Sequence, residues 1–237
     1  MIKHIPNAIT CLNLFSGCMG VVFAFDNNLK YAGYAILIAA FLDFFDGMAA
    51  RLLNIHSLMG KELDSLADMV SFGFLPAVIL YQLMSQSTGL YVGNEWIKYL
   101  TFLIAIFSAL RLAKFNIDTR QSESFIGLPT PSCALVIMSL PYIIERGGFF
   151  GNIFQSSESL LIITLLLSYL LVAELPLLSL KFKTLNLKDN QYRLVLVLSG
   201  IILFLFFNFS AVPLIILIYI LLSIIENSIK ARVKSGV

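Results

Sequence analysis

Eight long apolar stretches follow one another along this chain, separated by short polar segments. Most approach the roughly 20 residues that an α-helix needs to cross the hydrocarbon core of a bilayer. We therefore predict an all-α fold, a bundle of transmembrane helices that forms one domain over residues 1–237. The predicted spans are about 7–25, 31–53, 61–83, 97–117, 129–145, 158–178, 193–208 and 211–229. The last two run almost together, so a tight turn is expected between Asn208 and Pro213.

The composition supports a membrane protein and excludes several other classes. Hydrophobic residues make up 59% of the chain and charged residues 13%, and the mean hydropathy is +0.89. A soluble domain of this size could not bury so much apolar surface. The net charge of +2 and the lack of a long basic run give no indication of nucleic-acid binding. We expect the first stretch to be a retained span rather than a cleaved signal peptide.

The distribution of positive charge predicts how the chain is oriented. With a cytoplasmic N-terminus, thirteen Lys and Arg residues fall on the cytoplasmic side and three, Lys30, Lys98 and Arg146, on the other. The thirteen are Lys3, Arg51, Lys61, Arg111, Lys114, Arg120, Lys181, Lys183, Lys188, Arg193, Lys230, Arg232 and Lys234. Because cytoplasmic loops carry the excess of positive residues, this asymmetry predicts an even number of spans and two cytoplasmic termini.

The cysteines and histidines are not expected to carry chemistry. Cys11, Cys18 and Cys133 lie in apolar surroundings at no metal-ligand spacing, so we predict buried residues without disulfides. His4 and His56 are isolated, which argues against zinc.

Four aspartates interrupt the second and third apolar stretches at helical spacing. Residues three, four and seven apart share one face of a helix. The second stretch carries Asp43, Asp46, Gly47 and Ala50 in this way, and the third carries Gly60, Asp64 and Asp68. A short link joins the two stretches, so an antiparallel pair would bring the carboxylates to one pocket just below the cytoplasmic interface.

Metal-dependent chemistry on phosphate accounts for this arrangement. Each carboxylate costs a few kcal/mol in hydrocarbon, and four together repel unless cations lie between them. All-oxygen ligands favour Mg²⁺ or Mn²⁺, one or two ions, with two expected. The small residues leave room for a phosphate, Arg51 is suited to pair with one, and Asp68 is the candidate general base. The alternatives are a cation pathway in a transporter, or a structural cluster paired with Arg51 and Lys61.

The spacing D-x2-D-G-x2-A-R-x8-G-x3-D-x3-D resembles the signature of the CDP-alcohol phosphatidyltransferase family. All eight positions are filled, by Asp43, Asp46, Gly47, Ala50, Arg51, Gly60, Asp64 and Asp68. The resemblance implies an integral membrane enzyme, commonly a homodimer, that moves a phosphatidyl group from a CDP-lipid to an alcohol and releases CMP. It also implies metal ligation by the first three aspartates with Asp68 in part, Asp68 as the base, and a CDP and diphosphate site along the remaining motif residues.

Further segments are similar to the phosphatidylserine synthase branch of that family. They are Ile5–Gly17, Val70–Gly73 with Pro76–Ala77, Arg111–Asn116 and Gly127–Pro131. By this resemblance Asn7 and Thr10 are candidates for nucleotide binding, although helix capping is an equal alternative. Arg111, Lys114 and Asn116 are candidates for binding the acceptor or a phosphate. Lys114 replaces an arginine of the usual motif, which removes the guanidinium fork.

The predicted activity is therefore transfer of a phosphatidyl group from CDP-diacylglycerol to L-serine at the cytoplasmic face of the cell membrane. Gly73 and Pro76 are expected to shape the third span. One alternative is transfer to another alcohol, such as glycerol 3-phosphate or inositol phosphate. A divalent-cation transporter is the alternative from a different class. A transporter needs acids along the whole membrane, but outside the motif we expect only Glu174 to lie within a span, near the cytoplasmic end of the sixth.

Overall fold

A computed structural model describes residues 4–55, 57–118, 125–178 and 190–235. Within these ranges the chain is almost entirely helical, as the apolar pattern predicted. The α-helices are α1 Ile5–Phe25, α2 Leu29–Leu52, α3 Leu58–Asp68, α4 Leu75–Ser85, α5 Leu103–Ile117, α6 Thr130–Arg146, α7 Gly148–Phe154, α8 Ser157–Val172, α9 Gln191–Phe207 and α10 Val212–Ser235. A π-helix, Met69–Phe74, joins α3 to α4, and 3₁₀ turns precede α5 (Ile97–Phe102) and α10 (Asn208–Ala211).

The helices lie where the eight apolar stretches predicted them. Four helical stretches of the described chain are long and apolar enough to cross a membrane by length and composition. They are Ile5–Phe25, Leu58–Ser85, Ile97–Ile117 and Gln191–Ile229, the last of which contains α9 and most of α10. The expected turn between α9 and α10 is present, because Asn208 adopts a φ of 51° there.

Two features around α8 differ from the predicted spans. The sixth span was expected to run over 158–178, but α8 ends at Val172. Beyond it Pro176–Leu177 (β2) pairs antiparallel with Phe125–Ile126 (β1), so the backbone is extended where helix was predicted. In addition, the short helix α7 fills a segment that was expected to be a loop.

Helix α1 packs against α2, α3, α4 and the π-helix, and its composition explains how it can touch all four. Its buried face carries small or polar side chains: Pro6, Thr10, Asn13, Ser16, Gly17, Gly20 and Ala24. Small residues let helix backbones approach closely in a membrane. At Gly17 a Cβ atom would lie 2.5 Å from Ser71 Oγ, so any other residue would push α1 away from the π-helix.

The core lies between the long apolar helices, and many large hydrophobic side chains point outward. Ile36, Phe72, Leu80 and Ile137 are fully buried, whereas the outer faces of α1, α2, α9 and α10 expose Phe, Leu and Ile in the way expected of helices in lipid. The prediction of three buried cysteines is correct for Cys133 and wrong for Cys11 and Cys18. These two lie on the outer face of α1, and all three thiols are free.

Candidate functional site

Three of the four aspartates meet between α2 and α3. Asp43, Asp64 and Asp68 each offer one carboxylate oxygen, and these oxygens lie within 4.8 Å of one another. The side chains are half-buried, and Asp64 Oδ1 is buried without a hydrogen-bond partner. Because like charges this close repel, a divalent cation fits the cluster, and carboxylate oxygens are the ligands that Mg²⁺ and Mn²⁺ prefer. The side chains of this triad therefore suit the metal predicted from the sequence.

The fourth aspartate has a different environment. Asp46 is 6% exposed, and its Oδ2 accepts a hydrogen bond from Thr10 Oγ1 at 2.7 Å. The Thr10 hydroxyl also lies 3.0 Å from the Pro6 carbonyl oxygen. The structure thus places Asp46 beside the triad, on the side where α1 approaches α2.

Asn13 connects α1 to the triad and was not among the predicted site residues. It is fully buried, and its Nδ2 lies 3.4 Å from Asp68 Oδ1. Its backbone carbonyl accepts a hydrogen bond from Ser71 Oγ, which fixes the π-helix that follows Asp68. Asn13 Oδ1 is buried and unpartnered. The spacing of Asn7, Thr10 and Asn13, three residues apart on one helix face, was the sequence signal that could have identified it.

A cavity of about 500 Å³ opens next to the aspartates. It is lined by Pro6, Asn7, Thr10, Asp46, Gly47, Ala50, Ile55, Ser57, Leu58, Gly60, Lys61 and Asp64. Seven of these twelve residues were predicted from the sequence as part of the nucleotide or metal site. Asn7 and Thr10 belong to this lining and lie inside α1, where they are not its N-cap, which is His4.

The two motif glycines give the cavity its room. At Gly47 a Cβ atom would meet no atom within 4 Å, so the open space beside this residue is not needed for packing. At Gly60 a Cβ atom would lie 3.1 Å from Asn7 Oδ1 and narrow the gap between α1 and α3. The Ser57 hydroxyl caps α3 by accepting the Gly60 N–H at 3.2 Å, which sets where this helix begins.

Three motif residues, Asp43, Arg51 and Asp68, do not line the cavity, and of these only Arg51 lies outside the aspartate triad. It occupies the last turn of α2 and is exposed to solvent. Lys61 does line the cavity and was not among the predicted binding residues; its Nζ donates to the Asn116 carbonyl oxygen at 3.0 Å. A basic side chain is thus present at the cavity, on α3.

The three predicted acceptor residues on α5 have distinct surroundings. Arg111 is 7% exposed and within electrostatic reach of Asp68, and its Nε is buried without a partner. Lys114 forms an ion pair with Glu174 at 3.2 Å. Asn116 Nδ2 donates to Ser65 Oγ on α3 at 2.9 Å, so this residue links α5 to the helix that carries two aspartates. Of the three, Arg111 has the clearest relation to the triad.

The motif residues, the triad and the cavity can now be compared with known proteins. The sequence profile described as CDP-alcohol phosphatidyltransferase matches residues 3–176, which include all four aspartates and helices α1 to α8 and no part of α9 or α10.

Three relatives share the printed name CDP-diacylglycerol–serine O-phosphatidyltransferase. The Bacillus subtilis protein is 40% identical over 146 residues, which is 59% of this chain and 77% of the relative. The Saccharomyces cerevisiae protein is 37% identical over 166 residues, 63% of this chain and 58% of the relative. The Helicobacter pylori (strain J99) protein is 38% identical over 135 residues, 56% of this chain and 55% of the relative. The chain thus spans less than two thirds of the yeast and Helicobacter proteins.

Proposed function

The chain belongs to the CDP-alcohol phosphatidyltransferase family, and from this premise we propose that it transfers a phosphatidyl group from CDP-diacylglycerol to L-serine, giving phosphatidylserine and CMP. The observation that carries the proposal is the triad of Asp43, Asp64 and Asp68 at the edge of a cavity large enough for a nucleotide diphosphate. The choice of serine is supported by the shared name of the three relatives.

The nucleotide end of the donor occupies the cavity. Asn7, Thr10 and Ala50 line it, and Gly47 and Gly60 leave the space in which the cytidine and the diphosphate lie. Lys61 lines the same cavity and offers a positive charge to phosphate oxygens. Arg51, exposed in the last turn of α2 directly after the cavity-lining Ala50, is the residue that we assign to balancing the charge of departing CMP.

The metal site is formed by Asp43, Asp64 and Asp68, with Asp46 completing it on the side of α1. A bound Mg²⁺ or Mn²⁺, two ions in our proposal, would neutralise the diphosphate and stabilise the charge that develops on phosphorus. Thr10 holds Asp46 and Asn13 holds Asp68, so α1 orients a carboxylate on each of the two helices.

Asp68 also acts as the general base. It takes the proton from the serine hydroxyl, and the serine oxygen then attacks the phosphorus that carries the diacylglycerol. The bond between this phosphorus and the oxygen leading to CMP breaks, and CMP leaves. Arg111 lies within electrostatic reach of Asp68 and is the candidate for holding the carboxylate of serine. Lys114 and Asn116 follow on the same helix and border the route by which the acceptor enters.

An apolar groove beside the aspartates is the site that we propose for the lipid part of the donor. An apolar groove of about 410 Å³ lies between α1 and α2. It runs from Leu12 and Leu42, which adjoin Asn13 and Asp43 in sequence, to Tyr31. Eleven residues of helix span about 16 Å, close to the depth of one leaflet, so we propose that one acyl chain of the donor lies there.

The membrane arrangement follows from the same proposal. Residues 1–237 form one domain of eight spans with both termini and the active site on the cytoplasmic side, supported by the distribution of Lys and Arg. We also propose a homodimer. Few residues of Gln191–Ile229 are buried, which leaves a large apolar face for lipid or for a second copy of the chain.

The test is CMP release by the purified protein from CDP-diacylglycerol, with a panel of alcohols and with Mg²⁺, Mn²⁺ or a chelator. We expect release that requires both a divalent metal and L-serine. Release with another alcohol, such as glycerol 3-phosphate, but not with serine would contradict the choice of acceptor and retain the phosphatidyl transfer. The absence of release with any acceptor would contradict the enzymatic proposal itself.

A further inference from the structure

The helix that carries Asp64 and Asp68 changes its winding directly after the second of these residues. Helix α3 ends at Asp68, and Met69–Phe74 form a π-helix before α4 begins at Leu75. A π-turn contains more residues than an α-turn, and such turns are frequent at functional sites. Because one residue of an α-helix corresponds to about 100° of rotation, an extra residue here sets the direction in which α3 presents its carboxylates relative to α4.

Helix α1 holds the π-helix through a hydrogen bond and a close contact. Ser71 is fully buried, and its Oγ donates to the Asn13 carbonyl oxygen at 3.1 Å. Gly17 packs directly on Ser71, since a Cβ atom at Gly17 would lie 3.0 Å from Ser71 Cα. Asn13 is also the residue whose Nδ2 lies 3.4 Å from Asp68 Oδ1. One residue of α1 therefore contacts both Asp68 and the π-helix that follows it.

Helix α5 also packs closely on the π-helix. A Cβ atom at Gly73 would lie 2.9 Å from Cβ of Ser108, which is fully buried on α5. The same helix contacts α3, because Asn116 Nδ2 donates to Ser65 Oγ at 2.9 Å. These contacts lie before and after Asp68 in the chain. They leave the π-helix no spare room on the side of α5.

We propose that the π-helix orients Asp68 toward the triad, and that Ser71 is a positioning residue that acts through the π-helix. The inference rests on the proposed function, in which Asp68 is a metal ligand and the general base. The hydrogen bond of Ser71 ties the segment after Asp68 to Asn13, which contacts the Asp68 carboxylate. Without this bond the π-helix can relax toward α-helical winding, which turns Asp68 away from Asp43 and Asp64. Metal sites depend on the residues that orient their ligands, so both metal affinity and rate should depend on Ser71.

The experiment compares Ser71→Ala with Ser139→Ala. Ser139 on α6 is also fully buried, but its hydroxyl donates within its own helix, to the Val136 carbonyl oxygen at 2.6 Å. Each variant loses one buried hydroxyl, so their unfolding temperatures in detergent should fall by similar amounts. Only Ser71→Ala should bind Mn²⁺ more weakly, by about tenfold, in a titration with Mn²⁺ alone followed by electron paramagnetic resonance. At saturating Mn²⁺ its kcat should fall about tenfold with the KM for L-serine within about twofold, because a displaced catalytic group slows the reaction without weakening binding.

A second set of variants tests the π-helix from the side of α5. Gly73→Ala should also lower Mn²⁺ affinity and kcat, because its methyl group pushes the π-helix away from Ser108. Ser108→Gly removes the atom that this methyl group meets. The double variant Gly73→Ala with Ser108→Gly should therefore recover Mn²⁺ affinity and kcat, and a double variant as impaired as Gly73→Ala would overturn the part assigned to α5.

The possible failures can be told apart. Unchanged Mn²⁺ affinity and kcat in Ser71→Ala would overturn the inference, and so would equal losses in Ser139→Ala. A lower unfolding temperature without either loss would reduce Ser71 to a structural residue and overturn the inference as well. If Ser71→Ala weakened Mn²⁺ binding but the unmodified protein showed no serine-dependent CMP release, the proposed function would be overturned and the positioning of Asp68 retained.

Discussion

The helices covered by the family profile and the two helices beyond it differ in whether their buried polar atoms have partners within the protein. In the first region, which ends at residue 176, buried polar atoms stay unpaired around the aspartates. Asp64 Oδ1, Asn13 Oδ1 and Arg111 Nε are three such atoms. Unpaired buried polar groups are costly, so a protein keeps them where a ligand will pair them.

Helices α9 and α10 instead pair their buried polar groups within the protein. Tyr219 Oη donates to the Leu178 carbonyl, and Ser223 Oγ accepts the Leu178 N–H. Arg193 and Glu226, each less than a tenth exposed, form an ion pair at 3.9 Å. These contacts attach α10 to the segment around β2. The difference makes Asp64, Asn13 and Arg111 candidates for contact with a ligand, whereas Tyr219, Ser223, Arg193 and Glu226 hold the fold together.

The largest effect that this comparison predicts is at Asp68. Asp68→Asn keeps the shape of the side chain and removes the proposed general base, so kcat should fall by about 10²- to 10⁴-fold. Stability should hold or rise, because one of three repelling carboxylates is gone. CMP release and the thermal unfolding temperature in detergent measure the two quantities. A variant with full transfer activity would show that Asp68 is not the base.

Glu226→Gln is the counterpart in the second region. Glu226 is one of the groups that balance the buried charge of Arg193, so its neutralisation should lower the free energy of unfolding by up to about 3 kcal/mol. We expect a lower unfolding temperature and an unchanged kcat per folded molecule. If Glu226→Gln instead lost activity without losing stability, the division between the two regions would fail.

The sequence predicted most of the fold because bilayer thickness and backbone hydrogen bonding leave few solutions to an apolar chain. It did not predict the end of α8 at Val172, which depends on the pairing of Pro176–Leu177 with a strand some fifty residues earlier. Nor did it place Cys11 and Cys18 on the outer face of α1, because cysteine is small and apolar and is therefore compatible with either a packed or a lipid-facing position.

The candidate site was predictable to a similar extent. Helical spacing predicted that the four carboxylates lie near one another. It did not predict that Asp46 has a different environment from the other three. That difference comes from Thr10 on α1, which lies 36 residues away along the chain. The π-helix after Asp68 also lies outside any spacing rule, since its extra residue per turn is set by the contacts of Ser71 and Gly73 with α1 and α5.

We expect an effect of intermediate size on donor binding when Gly47 is replaced, and none when Gly200 in the second region is replaced. Gly47→Ala places a methyl group in the cavity, where it meets no protein atom. Gly200→Ala on α9 places one 3.7 Å from Ile215, an ordinary contact. Both changes should stabilise their helices by up to about 1 kcal/mol. Only Gly47→Ala should raise the KM for CDP-diacylglycerol, about tenfold, because the methyl group takes space from the donor. Equal kinetics for the two variants would show that the donor does not approach Gly47.

The smallest effect on stability and on the KM for serine is expected for Lys114→Ala. This variant tests how far the acceptor site extends along α5. Its partner Glu174 is about two-thirds exposed, and such surface pairs contribute less than about 1 kcal/mol. Lys114→Ala should therefore change the unfolding temperature little and the KM for serine by less than about threefold. Lys61→Ala, its counterpart on the cavity wall, should weaken donor binding more, because Lys61 lines the cavity that we propose for the diphosphate. A tenfold rise in the KM for serine in Lys114→Ala would instead mean that the ion pair opens and the lysine binds the acceptor directly. The acceptor site would then extend from Arg111 to the C-terminal end of α5.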